Sequence, residues 1–284
     1  MRAGSGAPGA NPRGAGFEAA GGYTWSVLFA LALLALPDQY DRAAEKVRFP
    51  DDEVLRQWSA KSDAHRKVVA LISDRSHWAR AFQAVDEKLG LLPANPEIRV
   101  TLEETDDKRP ACSSGKDGRG IVRFNLRQLV PYQEKLDEVA EIEKSGRKVR
   151  WAVPPTRMEG VIPHEVAHVV CGGFQDLWVA EGLASFAAGE DVAFYQFNLR
   201  KGRIDSLDRG VTEDDSYARG LSFLRWLEKD HGADAVRAFA RKVSREGVAP
   251  SRAAADISGL AWEKVVVQEK AWALEYIAGF KPSP

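Results

Sequence analysis

The chain has 284 residues, enough for one good-sized core or for one domain with two lobes. Apolar residues make up 44% and charged residues 29%, with a formal net charge of -1, as in an ordinary soluble globular protein. Lys and Arg are interspersed with Asp and Glu, so nothing chain-wide points to nucleic acid or an anionic membrane surface as partner.

The two cysteines, Cys112 and Cys171, are too few for a disulfide framework or for a cysteine-based zinc site. One bridge between them would suit an oxidising compartment, and two separate buried thiols are the plainer alternative.

Residues 1–24 are rich in Gly and Ala and carry Arg2 and Arg13. An apolar run follows, Val27 to Leu36, and polar residues resume at Asp38. Basic residues, then a short apolar run, then small or turn-forming residues match a secretory signal. The run is too short to span a bilayer comfortably as a helix. Residues 1–36 are therefore expected to be a signal peptide or an N-terminal anchor, which places the protein outside the cytoplasm, periplasmic or secreted, with a membrane tether as one form. Residues 37–63 read as an N-terminal extension, charged, weakly helical and broken at Pro50.

A longer helix is expected from Asp63 to Leu89. Val68, Val69, Ile72, Phe82 and Val85 fall near helical spacing, and Gly90 and Pro93 stop it. Glu97 to Glu103 alternates Ile98, Val100 and Leu102 as a half-buried strand does, and Ile121 to Leu126 alternates again. Between them, 105–119 reads as a polar loop. A helix over 131–145 and a short strand over 149–153 follow. After these the spacing predicts helices over 160–171, 177–189, 215–230, 233–245 and 260–278. Few strands followed by several helices imply an α+β fold.

The chemistry centres on Pro163-His164-Glu165-Val166-Ala167-His168. On a helix, residues four apart share a face, so His164 and His168 can present imidazoles to one metal ion. Glu165, about a third of a turn away, can reach a water at that metal without being a ligand. A catalytic zinc site needs a third protein ligand and keeps one open position. Glu181, in Trp178-Val179-Ala180-Glu181-Gly182, is the candidate. Gly172 and Gly173 let the chain turn back, so that a helix from about Asp176 brings Glu181 over the two histidines. Gly182 permits close backbone approach.

His164-Glu-Val-Ala-His168 with Trp178-Val-Ala-Glu181-Gly-Leu-Ala184 resembles the gluzincin zinc metallopeptidases, most closely their peptidase MA-like group. Ser216 to Gly232 and Ile257 to Trp272 resemble the helices that follow the third ligand in that group. The resemblance covers about residues 64–284, which it implies form one peptidase domain. It implies a zincin-like fold: a small N-terminal sheet, an active-site helix, a mainly helical C-terminal lobe and the metal in the cleft between two lobes. It also implies a peptide or protein substrate, added as a strand to a sheet edge, for which Gly120 to Asn125 is the candidate. The chain departs from better-known members in its short gap between His168 and Glu181. It also lacks, just after Glu181, the acidic residue that often orients a ligand histidine. Asp176 and Asp191 are candidates for that role, although residues of this kind are more often plain helix caps.

The expected reaction is zinc-dependent hydrolysis of a peptide bond, with Zn2+ on His164, His168 and Glu181 and with Glu165 as general base. An oxyanion donor is also needed. Tyr217 is the candidate, in a region where the family carries a tyrosine, and His231 is a second. The alternative is a zincin-fold binding module that no longer cleaves.

Overall fold

The alternating segments do form strands, and their pairing gives a sheet of mixed direction. In the computed structural model, which describes residues 38–147, 158–172, 174, 176–190, 207 and 213–279, the strands are β1 (Val47–Arg48), β2 (Glu97–Glu103), β3 (Ala111–Lys116) and β4 (Arg119–Asn125). Their order is β1-β2-β4-β3, parallel except for the antiparallel pair of β3 and β4. Val47, Ile98, Val100, Val122, Phe124 and Ala111 turn to the core, and the alternate residues turn outward.

The strand expected at the edge, Gly120 to Asn125, is internal, with β2 on one side and β3 on the other. The edges among the described strands are β1 and β3, and β3 is cut from the stretch that reads as a polar loop. Asp117 and Gly118 close the β3–β4 hairpin at φ 56° and 78°. A two-residue turn with both φ positive matches the right-handed twist of the strands it joins. The hairpin lies against the active-site helix, with the Gly118 amide donating to the Val169 carbonyl at 3.1 Å.

Eleven helices surround the sheet among the described residues. Four stand before β2: α1 (Gln39–Glu45), α2 (Asp52–Ser59), α3 (Asp63–Ser73) and α4 (Arg75–Leu89). The single helix expected over Asp63 to Leu89 is two. Asp74, with ψ at 109°, ends α3 and caps α4 by accepting from the Ser76 amide at 2.8 Å. A short acidic side chain that can bond a backbone amide locally competes with the helical ladder, and here it wins. After the sheet come α5 (Leu126–Lys144), α6 (Met158–Cys171), α7 (Leu177–Ala188), α8 (Glu213–His231), α9 (Ala233–Ser244), α10 (Pro250–Ser258) and α11 (Trp262–Gly279). The sequence reading lacks α10, which starts on a proline and stops at Gly259 with φ 69°. The short strand expected over 149–153 lies outside the described residues.

The fold is α+β, mostly helical, and the described strands all lie in the N-terminal half. Residues from Gln39 onward form one compact unit. The stretch read as an extension is therefore part of it: Ala43, Ala44 and Val47 are buried, and β1 adds a strand to the sheet.

Candidate metal centre

Helix α6 starts five residues before Pro163 and continues through it, so the histidines sit in mid-helix. Val166, Val169 and Val170 are fully buried and fix which side of α6 faces the core. His164 and His168 stand one turn apart on the same side, their rings 4.9 Å apart between centroids. Gly172, at φ 86°, reverses the chain after α6.

Helix α7 is apolar on nearly every side, and Glu181 is its one charged residue. A helix apolar all round belongs inside the molecule, so burial of α7 carries Glu181 in with it. There its Oε2 lies 3.2 Å from His164 Nε2 and 3.3 Å from His168 Nε2, while the two Nε2 atoms are 3.2 Å apart. Ligands bound at about 2.0–2.1 Å in a tetrahedron stand about 3.3 Å from one another. The three donor atoms thus have the spacing of one face of a tetrahedral zinc site. They are also the one group of three or more His, Cys, Asp or Glu among the described residues with metal-ligand spacing.

Burial alone would push both partners toward their neutral forms, and the charges they share outweigh it. The His164 imidazole is raised to about 10 by the carboxylates of Glu181 and Glu190 against the cost of burial. Glu181 is lowered to about 2 by the two histidines, again against burial.

Glu165 follows His164 on α6 and is 6% exposed. Its Oε2 has no hydrogen-bond partner among the described residues. A buried carboxylate oxygen left unpaired is costly, so a partner from outside the described residues is expected there.

Helix α8 delivers Tyr217. A Cβ on Gly182 of α7 would stand 2.6 Å from the Gly220 backbone, and one on Gly220 would stand 1.9 Å from the Trp178 carbonyl oxygen. The two helices therefore cross backbone to backbone, and only glycine fits at the crossing. Gly182 serves this contact rather than approach to the metal site. Tyr217, three residues before Gly220, stacks on His164 at 5.9 Å between centroids and 17° between planes. Its hydroxyl is held protonated, first by burial and then by the negative charges of Glu181 and Glu165. His231 is not part of the site. It lies fourteen residues further along α8, about 21 Å along the axis, and its ring packs against Trp226.

Glu190 is the site residue that the sequence reading missed. Its Oε1 is 3.2 Å from His164 Nδ1, so a carboxylate backs the imidazole nitrogen opposite the donor triangle. Metal-binding histidines usually have such a partner, which sets the tautomer and the ring orientation. Glu190 is placed by the end of α7. Gly189 turns at φ 73°, the Glu190 amide donates to the Ser185 carbonyl at 3.0 Å, and Arg225 of α8 donates to the Glu190 carbonyl at 3.3 Å. Of the two residues expected in this role, Asp176 is exposed at the start of α7 and Asp191 lies outside the described residues. An acidic residue directly after a terminal glycine was the available signal.

Both cysteines are free. Cys112 is half-buried on β3, and Cys171 is buried at the end of α6, where burial pushes its thiol up to about 12. The bridge considered from the cysteine count does not form.

Comparison of the chain with family models, with curated proteins and with solved structures returns no match.

Proposed function

We propose that the protein is a zinc-dependent hydrolase of peptide bonds with a zincin-like, gluzincin-type site. One observation carries the reading: the donor triangle of His164, His168 and Glu181 adjoins a buried carboxylate, Glu165, with an unpaired oxygen. The residues fit the ion: two imidazole nitrogens and one carboxylate oxygen are common zinc donors, three in number, at tetrahedral spacing. Zinc held there would supply Lewis-acid polarisation of a carbonyl and acidify a water near neutral pH.

The chain's own groups then divide the work. Glu165 accepts the proton of the attacking water and returns it to the leaving amine. Tyr217, protonated at any ordinary pH, donates to the developing oxyanion. Glu190 holds the His164 ring in place. The open edge of β3 beside α6 supports an extended peptide as substrate, bound through main-chain hydrogen bonds.

The test pairs metal analysis with a peptide-library screen on wild type, His164→Ala and Glu165→Gln. Wild type should hold close to one zinc per chain and His164→Ala none. Glu165→Gln should keep the zinc and lose cleavage by about a hundred- to ten-thousand-fold. Zinc without cleavage in wild type would favour a binding module on the same scaffold. No zinc in wild type, even after incubation with the ion, would end both readings.

A further inference from the structure

Chain-wide, positive and negative residues are mixed, but the sheet sorts them. Arg48 and Arg99 are register partners on β1 and β2. Arg99 stands opposite Ile121 of β4, between Arg119 and Arg123 of that strand. All four share the outward parity, opposite to the buried residues of the sheet. Arg48, Arg99 and Arg119 are exposed, and Arg123 is half-buried. The carboxylates of this parity on β2 are Glu97, paired with Arg48 at 2.8 Å, and Glu103 at the far end of the strand. Arg99, Arg119 and Arg123 form no ion pair and no side-chain hydrogen bond with any described residue. Like charges on neighbouring strand positions repel, and the carboxylate set among them is Glu97, which is the register partner of Arg119 and pairs with Arg48.

The face continues into a cleft of about 630 Å³ between α1 and the N-terminal ends of the strands, where Arg42, Lys46, Arg48 and Arg119 outnumber the two carboxylates, Glu45 and Glu97. Gln39, the first residue of α1, lines it too. The apolar run ends at Leu36, three residues earlier. An apolar run that acts as an N-terminal anchor makes phospholipid headgroups the anionic surface available to the chain. Arginine suits this position because its planar guanidinium grips phosphate through two parallel hydrogen bonds.

We propose that the outward face of the sheet, centred on Arg99, Arg119 and Arg123, docks the protein on an anionic phospholipid surface. The metal triad belongs to α6 and α7, which share the core with the opposite parity of the sheet. A molecule docked in this way keeps its candidate site clear of the bilayer. The inference does not depend on zinc or on cleavage.

The test is co-sedimentation of the full-length chain with vesicles of phosphatidylcholine alone and with vesicles containing phosphatidylglycerol, at low salt. Each arginine at an anionic surface contributes about fivefold to partitioning. Wild type should prefer the anionic vesicles by at least tenfold, and added salt should erase the preference. The double variant Arg99→Gln/Arg119→Gln, both positions exposed, should lose about twentyfold on anionic vesicles and nothing on neutral ones. Arg99→Gln alone repeats the test should the double variant lose its native circular dichroism. Equal binding of wild type to both vesicles, or unchanged binding of the folded variants, would overturn the proposal. Tight binding of wild type to heparin or duplex DNA without preference for anionic vesicles would also overturn it and assign the face to a soluble polyanion.

Discussion

Single atoms decide whether this site can work, and Glu190 is a clear case. Its carboxylate holds His164 Nδ1 and so aims Nε2 at the other donors. Glu190→Ala should weaken zinc affinity by about ten- to a hundredfold, read by competition with a chelator, while His168→Ala should abolish binding. Glu190 had one local signal, the Gly189 turn before it, while the rest of what places it is remote: Arg225 donates to its carbonyl from 35 residues further along the chain. His164, His168 and Glu165 were legible because a helix converts spacing directly into direction. Cys171 gives a second residue-scale test. Its thiol stays protonated up to about 12, and its side chain is buried. A thiol reagent at pH 8 should therefore modify Cys112 alone in the native protein and both cysteines after denaturation.

Among elements, the crossing of α7 over α8 matters most, because it brings the helix of Glu181 against the helix of Tyr217. Gly182 and Gly220 meet there with no room for a methyl group. Gly220→Ala must force the helices apart, with a loss of stability of about 1–3 kcal/mol in a urea titration. The zinc donors of α6 and α7 would remain, so cleavage should fall more than metal content does. The sequence reading assigned Gly182 correctly as a close-approach residue and named the wrong neighbour, since a one-dimensional pattern does not show which helix will cross it. Strand β3 illustrates a different loss. Ala-Cys-Ser-Ser-Gly-Lys has no apolar alternation, because the residues that turn to the core, Ala111 and Ser113, are small. The Asp117-Gly118 pair between two short segments was the hairpin signal, and it went unread inside a stretch rich in glycine and charge.

For the molecule as a whole, the α+β class and the helical second half followed from periodicity, while the ties between distant helices did not. One such tie among the described residues is buried completely. Arg219 of α8 and Glu269 of α11 are both 0% exposed, and they form a two-pronged ion pair with one contact at 2.8 Å. Ser222 donates to the same carboxylate at 3.0 Å. Two buried charges are tolerable only together. Glu269→Ala should therefore cost about 3–5 kcal/mol by leaving Arg219 alone in the interior, seen as a lower melting temperature. The pairing spans 50 residues of sequence, and no local pattern announces it.

That separation has a consequence for the order in which the protein matures. Glu269 is made 50 residues after Arg219, which sits two residues beyond Tyr217. Until α11 emerges, the guanidinium lacks the carboxylate that makes its burial tolerable. At a synthesis rate of about 5–20 residues per second, the delay amounts to a few seconds. During that interval His164, His168 and Glu181 have already been made, while the helix that carries Tyr217 lacks its buried ion pair. A chain interrupted before Glu269 should therefore hold Tyr217 less firmly against His164 than the finished one does.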